Sequence, residues 1–369
     1  MLLRAISAIV LVCLSFSGFA RANNLSVSLS VSDRATVSDQ EVMVDVVFTN
    51  NGSTSLSIPK WFVPDGELEG DLFLLSRDGG RVPYLGPIIK RAAPTAQDMI
   101  SLAPGESITR SVDIAGMYDL SASGEYKMQY GVASSQLFGR TNPRQNEDLQ
   151  KRNVEQMEQT VNLGMATLMS NEVATWVEGR SNPLANLAAD KTAMFGTKSS
   201  IAYSGRCSAT QQSTLTSAVA AASSMANNSV AYLNGISGST PRFTTWFGAG
   251  TSAALSEIRA DYAKIKDALD VQPLVLDCGC KKSYYAYVYP TQPYKIYLCR
   301  AFWTAPLTGT DSKGGTLIHE LSHFNVIAGT NDNAYGQTAA KALAISNPQQ
   351  ARDNADSHEY FSENTPALQ

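Results

Sequence analysis

The sequence has little histidine, little cysteine and no excess of positive charge. It contains 3 His and 5 Cys, and its 33 acidic and 29 basic residues leave a formal net charge of −4. Because no basic surplus draws the chain towards nucleic acid or anionic membranes, nucleic-acid binding is disfavoured. Internal repeats and low-complexity tracts are lacking too, which argues against a solenoid or a fibrous protein.

Hydrophobic residues are plentiful by contrast. They form 44% of the 369 residues, which is enough apolar surface for more than one buried core. Because a chain of this length exceeds one average domain, the sequence predicts a multidomain protein with two principal domains.

An apolar run stands at the start of the chain. Arg4 precedes it, residues 5–19 are mostly apolar, and Ala-Arg-Ala at 20–22 has the form of a cleavage site. The run is shorter than the roughly 20 residues that a membrane-spanning helix needs. We therefore expect residues 1–22 to be a secretory signal peptide, and the mature protein to be extracellular, exported through the periplasm and free of the membrane.

Removal of that segment would leave four cysteines. An even number in an exported protein predicts two disulfides, with three possible connectivities. Cys278 and Cys280 are too close in sequence to pair with each other, and one Cys-x-Cys lacks the second cysteine pair of a zinc ribbon. The four cysteines are Cys207, Cys278, Cys280 and Cys299.

Alternating apolar residues dominate residues 25–130. Period two with one apolar face indicates half-buried strands, and turn sequences such as NNGS (50–53) and RDGG (77–80) separate them. The pattern predicts an all-β, immunoglobulin-like sandwich within residues 23–135. The stretch has no His, no Cys and no recognisable catalytic motif, so we expect it to bind, to cover or to assist folding.

The composition changes over residues 136–197. A polar, helix-favouring segment (TNPRQNEDLQKRNVEQMEQT) precedes one that is rich in small residues and turn formers (SNPLANLAADKTAMFGTKSS). We predict a connecting helix and then an exposed linker, and exposed linkers are where proteases cut.

The apolar period becomes helical within residues 198–369. Apolar residues over 215–226 and 255–269 recur at three and four positions, which indicates two amphipathic core helices. Three short strand-like segments follow, with cysteines at their edges: LVLD (274–277), YYAYVY (284–289) and KIYL (295–298). The C-terminal part is thus predicted to be an α+β domain dominated by helices.

Two of the three histidines lie in the stretch HELSHFNVIAGTNDNAYG. His319 and His323 are four residues apart, so on a helix both rings project from one face and can bind one metal ion. Glu320 stands beside the first, where a carboxylate can take the proton of a water molecule that attacks a carbonyl. The alternative is a chance match on a buried helix, and the scarcity of histidine weakens it.

A catalytic zinc site needs a third protein ligand and an open fourth position. The candidates are Asp332, nine residues after His323, and His358, which is 35 residues after it. Gly329 and Gly336 would let the backbone reverse and return a side chain beneath the helix, so the spacing favours Asp332. The ligand types would also accept cobalt or manganese.

His-Glu-x-x-His followed by Gly-Thr-x-Asp-x-x-Tyr-Gly resembles the aspzincin metallopeptidases, the family of deuterolysin and the peptidyl-Lys metalloendopeptidases. Every fixed position of this pattern is present, and the resemblance covers roughly residues 200–369. The positions are His319, Glu320, His323, Gly329, Thr330, Asp332, Tyr335 and Gly336. The resemblance implies a zincin-like catalytic domain and a zinc-dependent endopeptidase.

The resemblance also implies a role for each side chain. His319, His323 and Asp332 would hold one Zn²⁺ ion. Glu320 would be the general base, and Tyr335 would donate a hydrogen bond to the developing oxyanion, unless it is an ordinary core tyrosine.

In the peptidyl-Lys branch, an acidic pair holds the lysine that follows the cut bond. Asp356 and Glu359 stand in the matching places and are three residues apart, so they share one helical face. This implies cleavage on the N-terminal side of lysine, although such residues are also typical of a solvated acidic surface. The cysteine spacing is similar too, and implies the pairs Cys207–Cys278 and Cys280–Cys299.

The layout is similar to that of bacterial exported aspzincins made as preproenzymes. It implies that residues 23–197 form a propeptide that inhibits the catalytic domain, residues 198–369, by covering its cleft. An enzyme that cuts before lysine could release itself in the linker, at Thr197–Lys198 or at Asp190–Lys191, and we favour the former. The mature enzyme is expected to be monomeric, to act on protein substrates and to suit a virulence or toxin role.

Three alternatives remain. The β-sandwich could be a permanent unit that docks to substrate or to a cell surface. The same constellation could serve a zinc amidase that acts on cell-wall peptides. A surface-binding or toxin module with a structural metal would need a fourth protein ligand, for which the sequence offers no candidate.

Overall fold

The computed structural model describes residues 24–32, 35–137, 167–181 and 201–369. The expected signal peptide (residues 1–22) and the expected processing bonds at Thr197–Lys198 and Asp190–Lys191 lie outside these ranges. Within them, no helix is both long enough and apolar enough to cross a membrane.

The N-terminal part is built from short strands. In β1 and β3 every second side chain is buried, as the alternating apolar residues predict. The strands are β1 (Leu25–Val31), β2 (Ala35–Thr36), β3 (Met43–Asn50), β4 (Leu56–Pro59), β5 (Phe73–Arg77), β6 (Gly80–Arg81), β7 (Ile88–Lys90), β8 (Met99–Leu102), β9 (Ser107–Asp113), β10 (Gly124–Ala133), β11 (Thr167–Met169) and β12 (Val173–Val177).

Most of these strands form sheets around one hydrophobic core. One sheet has the order β1-β3-β9, a second has the order β2-β12-β10-β5-β6 with β11 beside β10, and β4 pairs with β8. Tyr130 lies in the shared core, where Phe48 and Phe73 contact its ring edge to face. The prediction of a β-rich N-terminal region is confirmed.

Strands β11 and β12 lie in the stretch 136–197, where the composition predicted a connecting helix and a linker. Both pair with β10, and the described helix near this point is the short α1, Ser134–Leu137. The segment predicted to be the connecting helix, 141–160, lies outside the described residues. Residues 167–177, which the prediction places in a helical linker, instead contain two strands, because Thr175 and Val177 are buried in alternation with exposed neighbours and pairing in the sheet overrides composition.

The C-terminal part is dominated by helices, as the sequence predicts. Its strands β14 and β16 coincide with the predicted segments 274–277 and 295–298, and β15 lies within 284–289. Its elements are β13 (Ile201–Ser204), α2 (Ala209–Gly235), α3 (Pro241–Phe247), α4 (Ser252–Asp270), β14 (Leu274–Asp277), β15 (Ala286–Val288), β16 (Lys295–Leu298), α5 (Arg300–Thr304), α6 (Lys313–Ser322), α7 (Gln337–Ser346), α8 (Pro348–Arg352) and α9 (Ala355–Glu363).

Helix α6 is buried along its whole length between α2 and α9. Ser312 begins it, because the Ser312 side chain accepts a hydrogen bond from the backbone N–H of Gly315. A Cβ added at Gly315 would lie 2.2 Å from Oε1 of Glu363 and 3.0 Å from Cγ of Glu359. Glycine at this position therefore lets α9 approach the helix that carries both histidines.

Strand β7 belongs to the N-terminal part in sequence and to the C-terminal sheet in space. The sheet order is β13-β14-β16-β15-β7, in which β13, β14 and β16 are parallel and β15 is antiparallel to both of its neighbours. The register pairs Lys90 with Ala286 and Ile88 with Val288. Three residues of the N-terminal part thus cover the edge of the C-terminal sheet.

Candidate metal centre and lysine pocket

Helix α6 positions both histidines of the His-Glu-x-x-His motif. Their ring centroids are 4.8 Å apart, and both side chains are fully buried. Nδ1 of His323 lies 2.7 Å from the carbonyl oxygen of Thr330, and this contact fixes the ring so that Nε2 remains for another partner.

Asp332 returns beneath the helix from the loop that follows it. Gly329 has a φ of 65°, a left-handed conformation that favours glycine and lets the chain reverse. The backbone of Asp332 is held from the N-terminal part, because the side-chain amide of Gln136 donates to its carbonyl oxygen at 2.8 Å.

Three donor atoms converge at this point. Oδ1 of Asp332 lies 3.1 Å from Nε2 of His319 and 3.6 Å from Nε2 of His323. All three atoms are buried, and none makes a hydrogen bond. Donors around a tetrahedral zinc ion with bonds near 2.0–2.2 Å stand about 3.3 Å apart, so the set fits one such ion.

The protonation of His323 and Asp332 also suits a metal. Burial would lower the pKa of His319, but Asp332 and Asp356 raise it well above its ordinary value, so a metal would have to displace a proton from this ring. Burial lowers the pKa of His323 to about 4, which keeps its ring neutral. Burial would raise the pKa of Asp332, but His323 and His319 lower it, so this side chain is a carboxylate. A neutral imidazole and a carboxylate are the forms that bind a metal.

His358, the other candidate for a third ligand, lies outside this cluster. Its Nε2 is 3.3 Å from Oδ2 of Asp261, and its ring stacks on Tyr262. The structure therefore brings Asp332, and not His358, to the two histidines.

Glu320 is buried beside the donors, and its two carboxylate oxygens have no hydrogen-bond partner. Burial raises the pKa of Glu320 to about 8, with His319 acting against the rise and Asp332 adding to it. A carboxylate whose pKa lies near neutral pH is suited to both accept and return a proton.

The hydroxyl of Tyr335 reaches two groups at the centre. It lies 3.2 Å from Oδ2 of Asp332 and 3.2 Å from the carbonyl oxygen of Ile89, which belongs to β7. Burial raises the pKa of Tyr335 well above its ordinary value, and nearby Asp332 adds to the rise, so the phenol keeps its proton. The Tyr335 hydroxyl is therefore a hydrogen-bond donor next to a peptide carbonyl oxygen.

Asp356 and Glu359 on α9 form a closed pocket around the ammonium of Lys90. Nζ of Lys90 lies 3.4 Å from Oδ1 of Asp356, contacts Oε2 of Glu359 and lies 3.8 Å from Oδ1 of Asp311. The exposed fractions of the Asp356, Glu359 and Lys90 side chains are 1%, 0% and 0%. The alternative of a solvated acidic surface is therefore excluded.

Negative charges and aromatic rings surround the ammonium of Lys90. Burial would lower the pKa of Lys90, but Asp356 and Glu359 raise it well above its ordinary value, so the amine is charged. Nζ also lies 5.2 Å from the ring centre of Tyr285 and 6.0 Å from that of Tyr360.

The pocket and the metal centre share a side chain. Nδ1 of His319 lies 2.9 Å from Oδ1 of Asp356 and 3.2 Å from Oε2 of Glu359. A carboxylate on the far nitrogen of a ligating histidine fixes the ring and strengthens it as a donor. The same two carboxylates thus serve the lysine and one histidine of the centre.

Comparison with known proteins decides the family. A family described as lysine-specific metallo-endopeptidase matches residues 232–363. The chain is 43% identical over 330 residues to an extracellular protease of Aeromonas hydrophila, with 89% of this chain and 90% of that protein covered. The chain belongs to the aspzincin family. It is therefore a metalloendopeptidase, and its family implies a zinc cofactor.

Two further relatives carry informative names. The aspzincin is 38% identical to a peptidyl-Lys metalloendopeptidase of Armillaria mellea, with 96% of each chain covered. A solved zinc peptidase from Grifola frondosa is 48% identical to it, covering 44% of this chain and 100% of that one, with a TM-score of 0.42.

Both disulfides of the aspzincin have the connectivity that the resemblance implies. Cys207 pairs with Cys278, and Cys280 pairs with Cys299. The first joins the segments that follow β13 and β14, and the second joins the loop before β15 to the residue that precedes α5. The prediction of two disulfides is confirmed.

The contributions of the N-terminal part to the site are not evident from the sequence. Lys90, Ile89 and Gln136 reach it across sequence separations of 269, 246 and 196 residues to their partners. Lys90 stands in a short apolar run, Ile-Ile-Lys, which is an ordinary strand pattern. The one available signal was that this strand carries a lysine, the residue for which the resemblance implies a pocket.

Proposed function

We propose that the aspzincin is a secreted zinc endopeptidase, made as an inactive precursor, that cuts peptide bonds on the N-terminal side of lysine. The observation that carries this proposal is the contact between the metal centre and an acidic pocket that holds a lysine ammonium. The names of the relatives point to the same substrate class.

The residues of the site would share the chemistry as follows. A zinc ion held by His319, His323 and Asp332 would supply Lewis-acid chemistry, which brings the pKa of a water molecule towards about 7. Glu320 takes a proton from the attacking water and returns it to the amide nitrogen of the leaving residue. Tyr335 donates a hydrogen bond to the carbonyl oxygen as negative charge develops there.

The lysine preference follows from the pocket. Asp356 and Glu359 bury an ammonium completely, and a shorter or neutral side chain would leave these carboxylates without a cation. A site built around buried charges rejects a substrate that leaves those charges unpaired far more strongly than an apolar pocket rejects a missing methylene.

The N-terminal part would be the propeptide, an immunoglobulin-like β-sandwich that inhibits the enzyme to which it is attached. Strand β7 lies along β15 and fills the lysine pocket, so a substrate could not enter. We propose that residues 1–22 direct export and that the propeptide, up to residue 197, is later removed by a cut at Thr197–Lys198.

The activity is tested with a Glu320→Ala variant of the secreted protein. We expect it to keep its zinc, measured by metal analysis, and to lose cleavage of casein and of lysyl peptides by a factor of about 10²–10⁴, because the proton acceptor is gone. Glu257→Ala, which changes a glutamate on α4 whose side chain is 39% exposed, is the matched control and should cut normally. Undiminished caseinolysis by the Glu320→Ala enzyme would refute the proposal.

The specificity is tested by sequencing the N-termini of peptides that the mature enzyme releases from a mixed protein substrate. Lysine should begin the new termini, and a Glu359→Gln variant should lose this preference because the ammonium loses its shortest contact. Zinc content measured in parallel separates a lost preference from a lost metal, since Glu359 also lies near His319. A variant that keeps its zinc and still cuts only before lysine would contradict the assignment of the pocket.

Processing is tested by mass spectrometry of the secreted form. A mature chain that begins at Lys198 is expected, and a secreted active chain that still carries residues 25–130 would instead support a permanent β-sandwich.

A further inference from the structure

Strand β7 lies on the C-terminal sheet in the way that an extended peptide lies on an enzyme. It is antiparallel to β15, with Tyr287 opposite Ile89 and Ala286 opposite Lys90, and the backbone N–H of Tyr285 donates to the carbonyl of Lys90 at 3.1 Å. Addition of a strand to a sheet edge is a common mode of peptide recognition, in which side-chain pockets set the specificity. The register of β7 therefore tells which of its peptide bonds faces the centre.

The side chain of Lys90 fixes that register. Its ammonium lies in the pocket of Asp356 and Glu359, and both carboxylates also contact Nδ1 of His319. The carbonyl oxygen of this same bond is the one that lies 3.2 Å from the hydroxyl of Tyr335, which in turn lies 3.2 Å from Asp332.

The groups that would act on this bond are free to do so. Both carboxylate oxygens of Glu320 lack a hydrogen-bond partner, and the donor nitrogens of His319 and His323 also lack one. The bond thus has its carbonyl next to a hydrogen-bond donor, a lysine after it in the lysine pocket, and an unpaired carboxylate beside the metal ligands.

We propose that Ile89–Lys90 is a self-cleavage site, so that the propeptide is the first substrate of the enzyme that it covers. Water adds its oxygen to the carbonyl carbon of Ile89 while Glu320 takes a proton from it. The carbon–nitrogen bond breaks, and the nitrogen of Lys90 receives that proton. The second proton of the water passes from the new acid to the same nitrogen, so the products are a carboxylate at Ile89 and an ammonium at Lys90. This inference rests on the proposed function and specifies a reaction of the same site.

The cut would leave the two pieces of the propeptide associated. Strand β5 precedes the bond and β10 follows it, yet they pair in one sheet, and β3 and β9 pair across the bond in the other. Both new ends stay buried, so the nicked propeptide continues to fill the site. Cleavage in the linker at residues 190–198 would then be a separate and later event.

The test uses the full chain, prepared without metal in the presence of a chelator and then given zinc. Intact mass and N-terminal sequencing under denaturing conditions should show a fragment that ends at Ile89 and one that begins at Lys90. The rate should not change over a tenfold range of chain concentration, because enzyme and bond are in the same molecule. The Glu320→Ala chain should keep its Ile89–Lys90 bond intact, even when active wild-type enzyme is added and cuts the linker that the sequence predicts to be exposed, because Ile89 and Lys90 are buried.

Two variants test the role of the lysine. Lys90→Met should slow the cut at this position by about 100-fold or more, because the carboxylates lose their cation. Lys127→Met, a change of a lysine that is 52% exposed on β10, is the matched control and should be cut at Ile89–Lys90 as fast as the wild type. If Lys90→Met does not fold, the concentration series on the wild-type chain still decides the proposal.

A separate peptide that contains lysine distinguishes failure of the self-cleavage proposal from failure of the proposed function. If the processed enzyme cuts this peptide while the precursor keeps the bond at 89–90 intact after zinc addition, the self-cleavage proposal is overturned and the proposed function stands. If no preparation cuts the peptide, the proposed function fails and the self-cleavage proposal fails with it.

Discussion

Glu363 shows how one buried carboxyl group supports the site without touching the metal ligands. It ends α9 and accepts hydrogen bonds from the backbone N–H and the hydroxyl of Ser312, at 2.8 and 2.7 Å, where α6 begins. Burial raises its pKa to about 8, and the nearby charge of Glu359 adds to the rise. The helix that carries both histidines therefore begins at a group that titrates near neutral pH.

We predict that Glu363 makes stability depend on pH. Its pKa is higher in the folded chain than in the unfolded chain, so the folded state keeps a proton that the unfolded state has lost, and stability falls as the pH rises from about 4.5 to about 8. In the Glu320→Ala background, Glu363→Gln should remove this fall, so the free energies of unfolding of the two proteins should diverge by about 5 kcal/mol by pH 9.

Denaturant unfolding between pH 5 and pH 9 checks this prediction. The difference between the two profiles is the quantity to compare, because every other titrating group contributes to both. Glu257→Gln in the same Glu320→Ala background, which changes a glutamate with a side chain 39% exposed, is the matched control. Parallel profiles for Glu363→Gln would contradict the raised pKa.

At the scale of residues, part of the site is predictable from the sequence. The four-residue spacing of His319 and His323 defines one face of a helix, and Gly329 has the positive φ that returns Asp332 to that face. These relations are local, so the sequence contains them. The lysine that enters the pocket and the third carboxylate, Asp311, come from distant segments, and no local pattern encodes such contacts.

At the scale of elements, the C-terminal sheet depends on two disulfides that close chain segments of different length. Cys207 and Cys278 are separated by 71 residues, and Cys280 and Cys299 by 19. A disulfide stabilises a protein by restricting its unfolded chain, and the restriction grows with the length of the closed segment.

We predict that the two disulfides contribute unequally. In the Glu320→Ala background, replacing Cys207 and Cys278 by alanine should lower the free energy of unfolding by about 4 kcal/mol, and replacing Cys280 and Cys299 should lower it by about 3 kcal/mol. Guanidinium unfolding of both double variants measures this. A larger loss for the shorter segment would show that strain or packing, and not chain entropy, dominates.

Helices and strands whose apolar residues repeat regularly are predictable from the sequence. Strands that form only because they pair with a distant strand are not. Helices α2 and α4 repeat their apolar residues over several turns, and β14 and β16 coincide with predicted strands. Strands β11 and β12 are three and five residues long and lie next to polar segments, so composition alone suggested a connector. Both segments form strands because they pair with β10. Each paired residue of β10 lies more than thirty residues away in the sequence.

At the scale of the whole molecule, the metal would hold together elements that are far apart in the chain. The donors come from α6 and from the loop after it, and that loop is bonded both to α9 and to Gln136 of the N-terminal part. A cation between the three donor atoms would satisfy buried groups that make no hydrogen bond.

We therefore predict that removal of zinc destabilises the protein. In the Glu320→Ala chain, free zinc at 1,000 times its Kd should add about 4 kcal/mol to the free energy of unfolding, because it binds only the folded form. Calorimetry with zinc and with a chelator measures the shift in Tm. His323→Ala should show a much smaller shift in Tm. Identical unfolding curves with and without zinc, for the chain that keeps His323, would contradict the assignment of the metal ligands.

If the N-terminal part is removed as proposed, the short pairing between β7 and β15 indicates the form that a substrate must adopt to take its place. A substrate that binds as β7 does must present at least three residues in extended form and bury its lysine side chain completely. Lysines within helices or rigid loops cannot do this without local unfolding. The enzyme should therefore cut a tightly folded protein at its frayed ends and unfolded tails, and it should cut a denatured protein into fragments.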